Sequence, residues 1–254
     1  NARMEKIICT HAKAVFWYTS DAIRQAKSRN PQLGKRGHLM RPGMMPPDFG
    51  GVKYASSDKL KFCYFGGLTP ERNLGLLTDA LNRLLKKRPE LSSVLEVHQY
   101  GGEIDKISQE GFKQLPDSIL VPHGRLETDL VTGKSGRQRV LEQMRKSDVL
   151  ILMHGQGEIC QLYLPSKIYE YLWAQRPVLL FSPVPNHWDD ILDSSNHYIV
   201  DQTDPIDIDE TLKRLIADWQ REKLSDRPIS QAHSVETAVT LLLKYARSLN
   251  PKAH

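Results

Sequence analysis

The chain has 254 residues, 40% of them hydrophobic, with a formal net charge of +5. That is enough for one large domain, or one domain with part of another, and it excludes a disordered or low-complexity chain. No apolar run approaches the roughly eighteen residues of a membrane span and no signal-peptide pattern is present. The basic surplus alone admits nucleic acid, an anionic membrane surface or phosphorylated ligands. The Lys and Arg residues are scattered and form no stripe with aromatics, so nucleic acid is not expected as a partner. The cysteines Cys9, Cys63 and Cys160 have no metal-ligand spacing and read as reduced, buried thiols of a cytosolic protein.

Residues 1–14 read as the end of a helix, in a chain that begins as if cut from something longer. A strand follows at 14–19, then a helix capped by Ser20 and running to about Asn30, and a short extended piece at Leu39-Met40. Residues 41–51 carry Pro42, Pro46, Pro47, Gly43, Gly50 and Gly51 and read as a linker. From residue 59 strands alternate with helices. The expected strands lie at 59–65, 94–99, 118–121, 148–153, 178–181 and 197–200. Thr69-Pro70 signals a helix start, with Leu74, Leu77, Leu81, Leu84 and Leu85 as its apolar stripe. A weaker helix falls within 104–115 and another at 137–146. Ile208, Leu212, Leu215, Ile216 and Trp219 stripe one late helix, and Val235, Val239, Leu242, Ala246 and Leu249 the last. This alternation predicts a doubly wound, mostly parallel α/β sheet.

Glycines end several of these strands, at Gly66-Gly67, Gly101-Gly102 and Gly155. In such sheets ligands bind beyond the carboxyl ends of the strands, and Gly66 and Gly67 would let backbone approach a diphosphate, with Arg72 as counter-charge. The alternative is that they are tight strand-to-helix turns. G-x-G-x-x-G, G-x-x-x-x-G-K-[ST] and G-x-S-x-G motifs and a zinc spacing of histidines are all absent from the sequence.

The most informative stretch is Leu164-Pro165-Ser166-Lys167-Ile168-Tyr169-Glu170-Tyr171-Leu172, followed by Arg176-Pro177-Val178. It starts a helix after the apolar strand at 148–153, so free N–H groups of Ser166 and Lys167 would face an anion at the strand end. Glu170, one turn further on, could accept hydrogen bonds from a vicinal diol such as a ribose. Phosphate at the cap and diol one turn in suggest a nucleotide. An ordinary buried helix with a surface Lys and Glu is the competing reading.

This stretch resembles the P-S-K-x-x-E-Y-L-x-x-x-[KR]-P-V segment of GT-B glycosyltransferases of the family 4-like type, and the resemblance runs over most of the chain. Glu5 to Ser20 looks like the last helix and strand of that family's N-terminal domain, and Arg41-Pro42-Gly43-Met44 through Phe49 like its interdomain linker. Tyr64 to Leu74 looks like the first strand and loop of the donor domain, Ser147-Asp148-Val149-Leu150 like a later strand, and the helix from His233 like the one that crosses back. The resemblance implies a Rossmann-like parallel sheet, the C-terminal half of a GT-B fold, with a short N-terminal α/β appendage. It divides the chain into 1–49 (acceptor-side tail and linker), 50–232 (donor-binding domain) and 233–254 (returning helix).

It also implies that Glu170 binds a ribose and that Ser166 and Lys167 bind a diphosphate, with Gly66, Gly67, Arg72, His123 and Gly124 in the same nucleotide site. Three positions depart from the pattern. Gly67 and Asn73 stand where many members carry Arg and Lys, and Leu162 stands where a Glu touches the transferred sugar, leaving Glu158 or Gln161 as substitutes. The implied activity is that of a retaining, metal-independent glycosyltransferase needing no cofactor beyond its nucleotide-diphosphate sugar. The acceptor would be a glycan or lipid-linked, with a cytoplasmic location at or near the inner face of a membrane. The acceptor side falls outside this chain, so the fragment alone is expected to be inactive. A nucleotide-sugar epimerase of the same architecture and a non-catalytic nucleotide-sugar-binding scaffold are the alternatives.

Overall fold

The computed structural model describes residues 2–155, 157, 160, 162–183, 188, 191–229 and 234–249. The chain forms two compact units, one of Asn1–Pro46, Gly157–Tyr169 and Ser230–His254, the other of Pro47–Gln156 and Glu170–Ile229. Among the described residues no helix is long and apolar enough to cross a membrane.

The first unit opens with α1 (Ala2–His11), β1 (Val15–Trp17), α2 (Ser20–Arg29) and β2 (Gly37–Leu39). β1 and β2 pair in parallel, Phe16 opposite His38. The cap of α2 is Thr19 and not Ser20: Thr19 is extended and its hydroxyl accepts the Ala22 N–H at 3.0 Å. Either neighbour could supply a capping oxygen; the strand ending at Trp17 leaves Thr19 in the extended conformation a cap requires. A 3-10 helix at Pro31–Arg36 fills the space before β2, and Cys9, Ala26 and Leu33 form a small core with Val15 and Trp17. Free Cys9, Cys63 and Cys160 are all buried, as the sequence suggests.

The second unit is built on six parallel strands in the order β5-β4-β3-β6-β7-β8. They are β3 (Leu60–Phe65), β4 (Leu95–Tyr100), β5 (Leu120–Gly124), β6 (Val149–Met153), β7 (Val178–Ser182) and β8 (Tyr198–Asp201). The unbroken apolar runs of β6 and β7 are buried at every position, as a sheet covered on both faces requires. On one face α3 (Gly75–Lys87), α4 (Lys106–Phe112) and α7 (Pro205–Gln220) set Leu77, Leu81, Phe112, Leu212 and Ile216 in one cluster with Phe62, Val97 and Ile151. On the other lie α5 (Gly136–Lys146) and α6 (Lys167–Trp173). Tyr171 of α6 donates to the Ile151 carbonyl at 3.2 Å and meets Phe65 edge-on. The α/β, parallel-sheet expectation holds.

Two local expectations do not. Thr69-Pro70 does not start a helix; Thr69 and Arg72 exchange backbone hydrogen bonds across a tight turn, and α3 begins at Gly75. β5 does not stop at Val121 but runs through Pro122. Proline is tolerated there because β5 is the edge of the sheet and its missing N–H would have faced outward. The final helix, α8 (Val235–Leu249), has the predicted apolar stripe, yet Val239, Leu242 and Leu249 are exposed and Ala238 is its one buried described residue. Periodicity reveals an amphipathic face, not whether a partner covers it. Its Tyr245 packs edge-on against Phe16 and over His38.

The amino ends of β6 and β7 are tied by charge. Arg176 is fully buried and donates to the carbonyls of Ser147, Asp148 and Leu224 and to Asp226, while its guanidinium lies 3.3 Å from the centre of the Tyr54 ring. Arg145 pairs with the same Asp226 carboxylate. Asp148 accepts from the Tyr54 hydroxyl at 2.5 Å and the Lys61 N–H at 2.8 Å; burial nevertheless pushes its carboxyl above the ordinary value.

Arg145 holds the Asp226 carboxyl below its usual range. A depressed carboxylate stabilises the fold above its unfolded pKa, and that contribution is lost as pH falls through the lower folded value. Asp226→Ala should therefore cost about 1–3 kcal/mol at neutral pH, reduced from the full cost of a broken buried pair because Asp226 is 44% exposed. Urea denaturation should show that gap unchanged down to about pH 5 and closing below about pH 4.

Candidate functional site

Strand order reverses between β3 and β6, and the crevice outside the carboxyl ends at such a point is where ligands bind in open α/β sheets. Gly66 stands at the end of β3, with its N–H bonded to the Tyr100 carbonyl at 2.8 Å, and Gly101 ends β4, with its N–H bonded to the Gly124 carbonyl at 2.9 Å. Gly66, Gly101 and Gly124 have φ of 131°, 151° and 62°. A Cβ on Gly101 would sit 2.2 Å from the Gly66 carbonyl oxygen, so the two strand ends approach this closely only as glycines. Gly67 faces open space and is exposed.

Arg72 is exposed on the turn that follows, while Asn73 is buried. The Asn73 amide donates to the Pro70 carbonyl at 2.7 Å and its oxygen accepts the Gly75 N–H at 2.9 Å. Asn73 thus shapes the turn into α3, and Arg72 is the cation available at this strand end.

His123 is the extra residue of an irregularity in β5, where the register with β4 shifts between Gln99 and Tyr100. Its ring lies flat on Tyr100 at 4.1 Å between centroids, and Tyr100 in turn on Phe65 at 4.6 Å. His98 Nε2 contacts Glu96 Oε2 at 2.8 Å and its Nδ1 meets His123 Nε2 at 2.9 Å. With His98 donating to the carboxylate, its Nδ1 accepts, and the proton between the two rings belongs to His123. Burial, together with the neighbouring His98, pulls the His123 pKa down from its ordinary value. The His123 ring is thereby committed to the sheet, and the edge it offers a ligand is Nδ1 together with the chain turning at Gly124.

Glu170 lies in the first turn of α6, where the helix dipole favours a carboxylate. Arg137 Nη2 donates to its Oε1 at 2.9 Å. Its Oε2 is buried and accepts no hydrogen bond from any described residue. The side chain is only 16% exposed. Arg137 is the second residue of α5, whose cap is Ser135. A guanidinium in the first turn of a helix opposes the dipole, and pairing with Glu170 offsets that. Sequence reasoning missed Arg137; the signal was a basic residue at the wrong end of a helix. His98 and Tyr100 were missed too, because alternate strand residues read only as one face of a sheet.

Ser166 is exposed at the turn into α6 and Lys167 is its first residue. The Ile168 and Tyr169 N–H groups close on the Pro165 and Ser166 carbonyls. These residues belong to the first unit, whereas Gly66, Gly67, Arg72, His123, Gly124 and Glu170 belong to the second. Glu158 and Gln161 lie outside the described residues.

The chain matches no protein-family model and no curated protein sequence. Solved structures do resemble it. TarM superposes with a TM-score of 0.59 at 18% identity, over 95% of this chain and 45% of its own. A glycosyltransferase from Rickettsia africae gives 0.68 at 10% identity, over 100% and 67%. Anabaena Alr3699/HepE, a structure in complex with UDP and glucose, gives 0.61 at 13% identity, over 97% and 66%. The chain thus spans about half of TarM. The chain shares with these structures a Rossmann-like α/β fold of the GT-B type.

The strand-end geometry has a direct test. Gly101→Ala should destabilise the protein by about 1–3 kcal/mol in urea titration, since both its φ and the Gly66 carbonyl oppose a side chain. Gly102→Ala, which meets nothing within 4 Å, should stay within about 0.5 kcal/mol of wild type.

Proposed function

We propose that this chain is the donor-binding part of a glycosyltransferase, holding a nucleotide-diphosphate sugar for transfer to a glycan or lipid-linked acceptor. The observation that carries the reading is Glu170: one oxygen is fixed by Arg137, the other is buried and accepts no hydrogen bond from a described residue, and the carboxylate stands in the first turn of the helix that follows the central strand β6. A buried acceptor without a donor is costly, and a ribose hydroxyl would remove the cost. Arg137 sets the orientation of the carboxylate and Glu170 receives the diol. The Arg72 side chain holds the diphosphate and stabilises the charge that develops on it as the sugar leaves. The glycine lip at Gly66 and Gly67 lets backbone approach it, and the turn at His123 and Gly124 borders the base. Such transfer is retaining and needs no metal. It also needs the acceptor side, so this chain alone transfers nothing. The protein works in the cytoplasm, peripherally at the membrane when its acceptor is lipid-linked.

A non-catalytic nucleotide-sugar-binding domain is the second reading, and the placement of Asn73 favours it. The position at which the resemblance expects a phosphate-binding lysine is spent on the turn into α3.

Calorimetric titration with UDP-, GDP-, ADP- and dTDP-sugars tests binding. One series should bind, at about 4 to 6 kcal/mol, and Glu170→Gln should weaken it by about 1–3 kcal/mol. Arg72→Ala should weaken it only in part, because the backbone donor at Gly67 remains. No binding of any nucleoside diphosphate at millimolar concentration removes the reading; full binding with no transfer after the acceptor side is restored selects the non-catalytic one.

A further inference from the structure

The opposite end of the sheet carries a second constellation. At the amino ends of β7 and β8 the second unit has a cavity of about 230 Å3, lined by Arg214, Lys223, Arg227, Tyr198, Asp218 and the serines Ser194 and Ser195. Arg214 projects from α7, and Lys223 and Arg227 from the segment after it. The main chain of Arg227 is pinned, its N–H donating to the Gln175 carbonyl at 2.8 Å and its own carbonyl accepting the Gln175 amide at 3.1 Å. Its side-chain Nε is buried and donates to no described residue.

Charge in this cavity is not balanced. Three cations face one carboxylate, and that carboxylate, Asp218, is engaged by the Tyr198 hydroxyl at 2.8 Å. The Arg214 guanidinium sits over the Tyr198 ring, 5.2 Å from its centre. None of the three cations forms an ion pair with a described residue. Elsewhere in this unit Arg145 and Arg176 pair with Asp226, Arg83 with Asp209 and Arg137 with Glu170. Gathering like charges without a counter-ion raises the energy of the folded state, and an anion in the cavity relieves it. Guanidinium groups with flanking hydroxyls suit the tetrahedral oxygens of phosphate. A volume of about 230 Å3 suits a small anion.

We propose that this cavity binds the phosphate of a small phosphomonoester or inorganic phosphate, at a site separate from the nucleotide crevice. The two sites lie at opposite ends of the same sheet, so they can be filled together. The group can arrive on a free molecule or on a lipid headgroup, and the shared chemistry is a dianionic phosphate.

The test is titration of the full chain with inorganic phosphate and with glycerol 3-phosphate at constant ionic strength, followed by phosphorus NMR. A sedimentation arm uses phosphatidylcholine vesicles with and without phosphatidic acid. Saturable binding at millimolar phosphate is expected, unchanged by saturating UDP. Arg214→Ala and Lys223→Ala, both on exposed side chains, should each weaken it about tenfold, the effect of one charge-assisted hydrogen bond. Lys113→Ala at the C-cap of α4, far along the chain and paired with Glu110, should leave it unchanged. Binding of glycerol 3-phosphate assigns a free ligand, and binding confined to phosphatidic acid vesicles and lost in the same variants assigns a lipid headgroup. Absence of binding in every arm, competition by UDP, or equal weakening by Lys113→Ala overturns the proposal.

Discussion

Burying the Arg176 guanidinium is the constraint on which the sheet's organisation turns. A fully desolvated cation is costly unless every N–H is used. Here it is met by three main-chain carbonyls, a shared carboxylate and an aromatic face. Those partners come from the start of β6, the segment after α7, and Tyr54 ahead of β3. One side chain therefore fixes where two central strands begin and where the chain returns after its longest helix. The strand β7 starts two residues after Arg176, so the position of its carboxyl end, and of everything beyond it, follows from a contact at the other end.

What the sequence revealed and what it hid divide along physical lines. Short apolar runs such as Val149 to Met153 are legible because a strand buried on both faces cannot afford a polar residue. The stripe of α3 is legible because Leu77, Leu81, Leu84 and Leu85 fall at helical spacing and meet the sheet. Features decided between distant residues were not legible. The pairing of Arg137 with Glu170 spans 33 residues and leaves no local trace. Thr69-Pro70 carries a good helix-start signal, and a pair of backbone hydrogen bonds to Arg72 overrides it. The stripe of α8 is legible as amphipathic for the same reason as that of α3, although Val239, Leu242 and Leu249 are exposed.

The candidate site was half legible for the same reason. Its glycines mark themselves, since a positive φ or a close backbone approach excludes other residues. The ring stack of Phe65, Tyr100 and His123 did not, because its members come from three strands and only register brings them into line. Nothing local distinguishes Asn73 as a turn former from the phosphate-binding lysine expected there; the decision rests on two hydrogen bonds to its neighbours. The two ends of the sheet thus have unlike characters. Glycine and a lone carboxylate mark one, and a surplus of arginine and lysine the other.

The proline within β5 has a consequence for how copies of this protein meet one another. An outer strand normally offers a row of unsatisfied amides and carbonyls on which a foreign strand can grow, the usual route to fibrils and exchanged dimers. Pro122 deletes one donor from that row, and the slip beside Tyr100 and His123 puts the remaining groups out of step with a regular ladder. At the far margin, β8 is only four residues long. The sheet is thus closed to addition along both sides, and high concentration should not turn its parallel strands into a template.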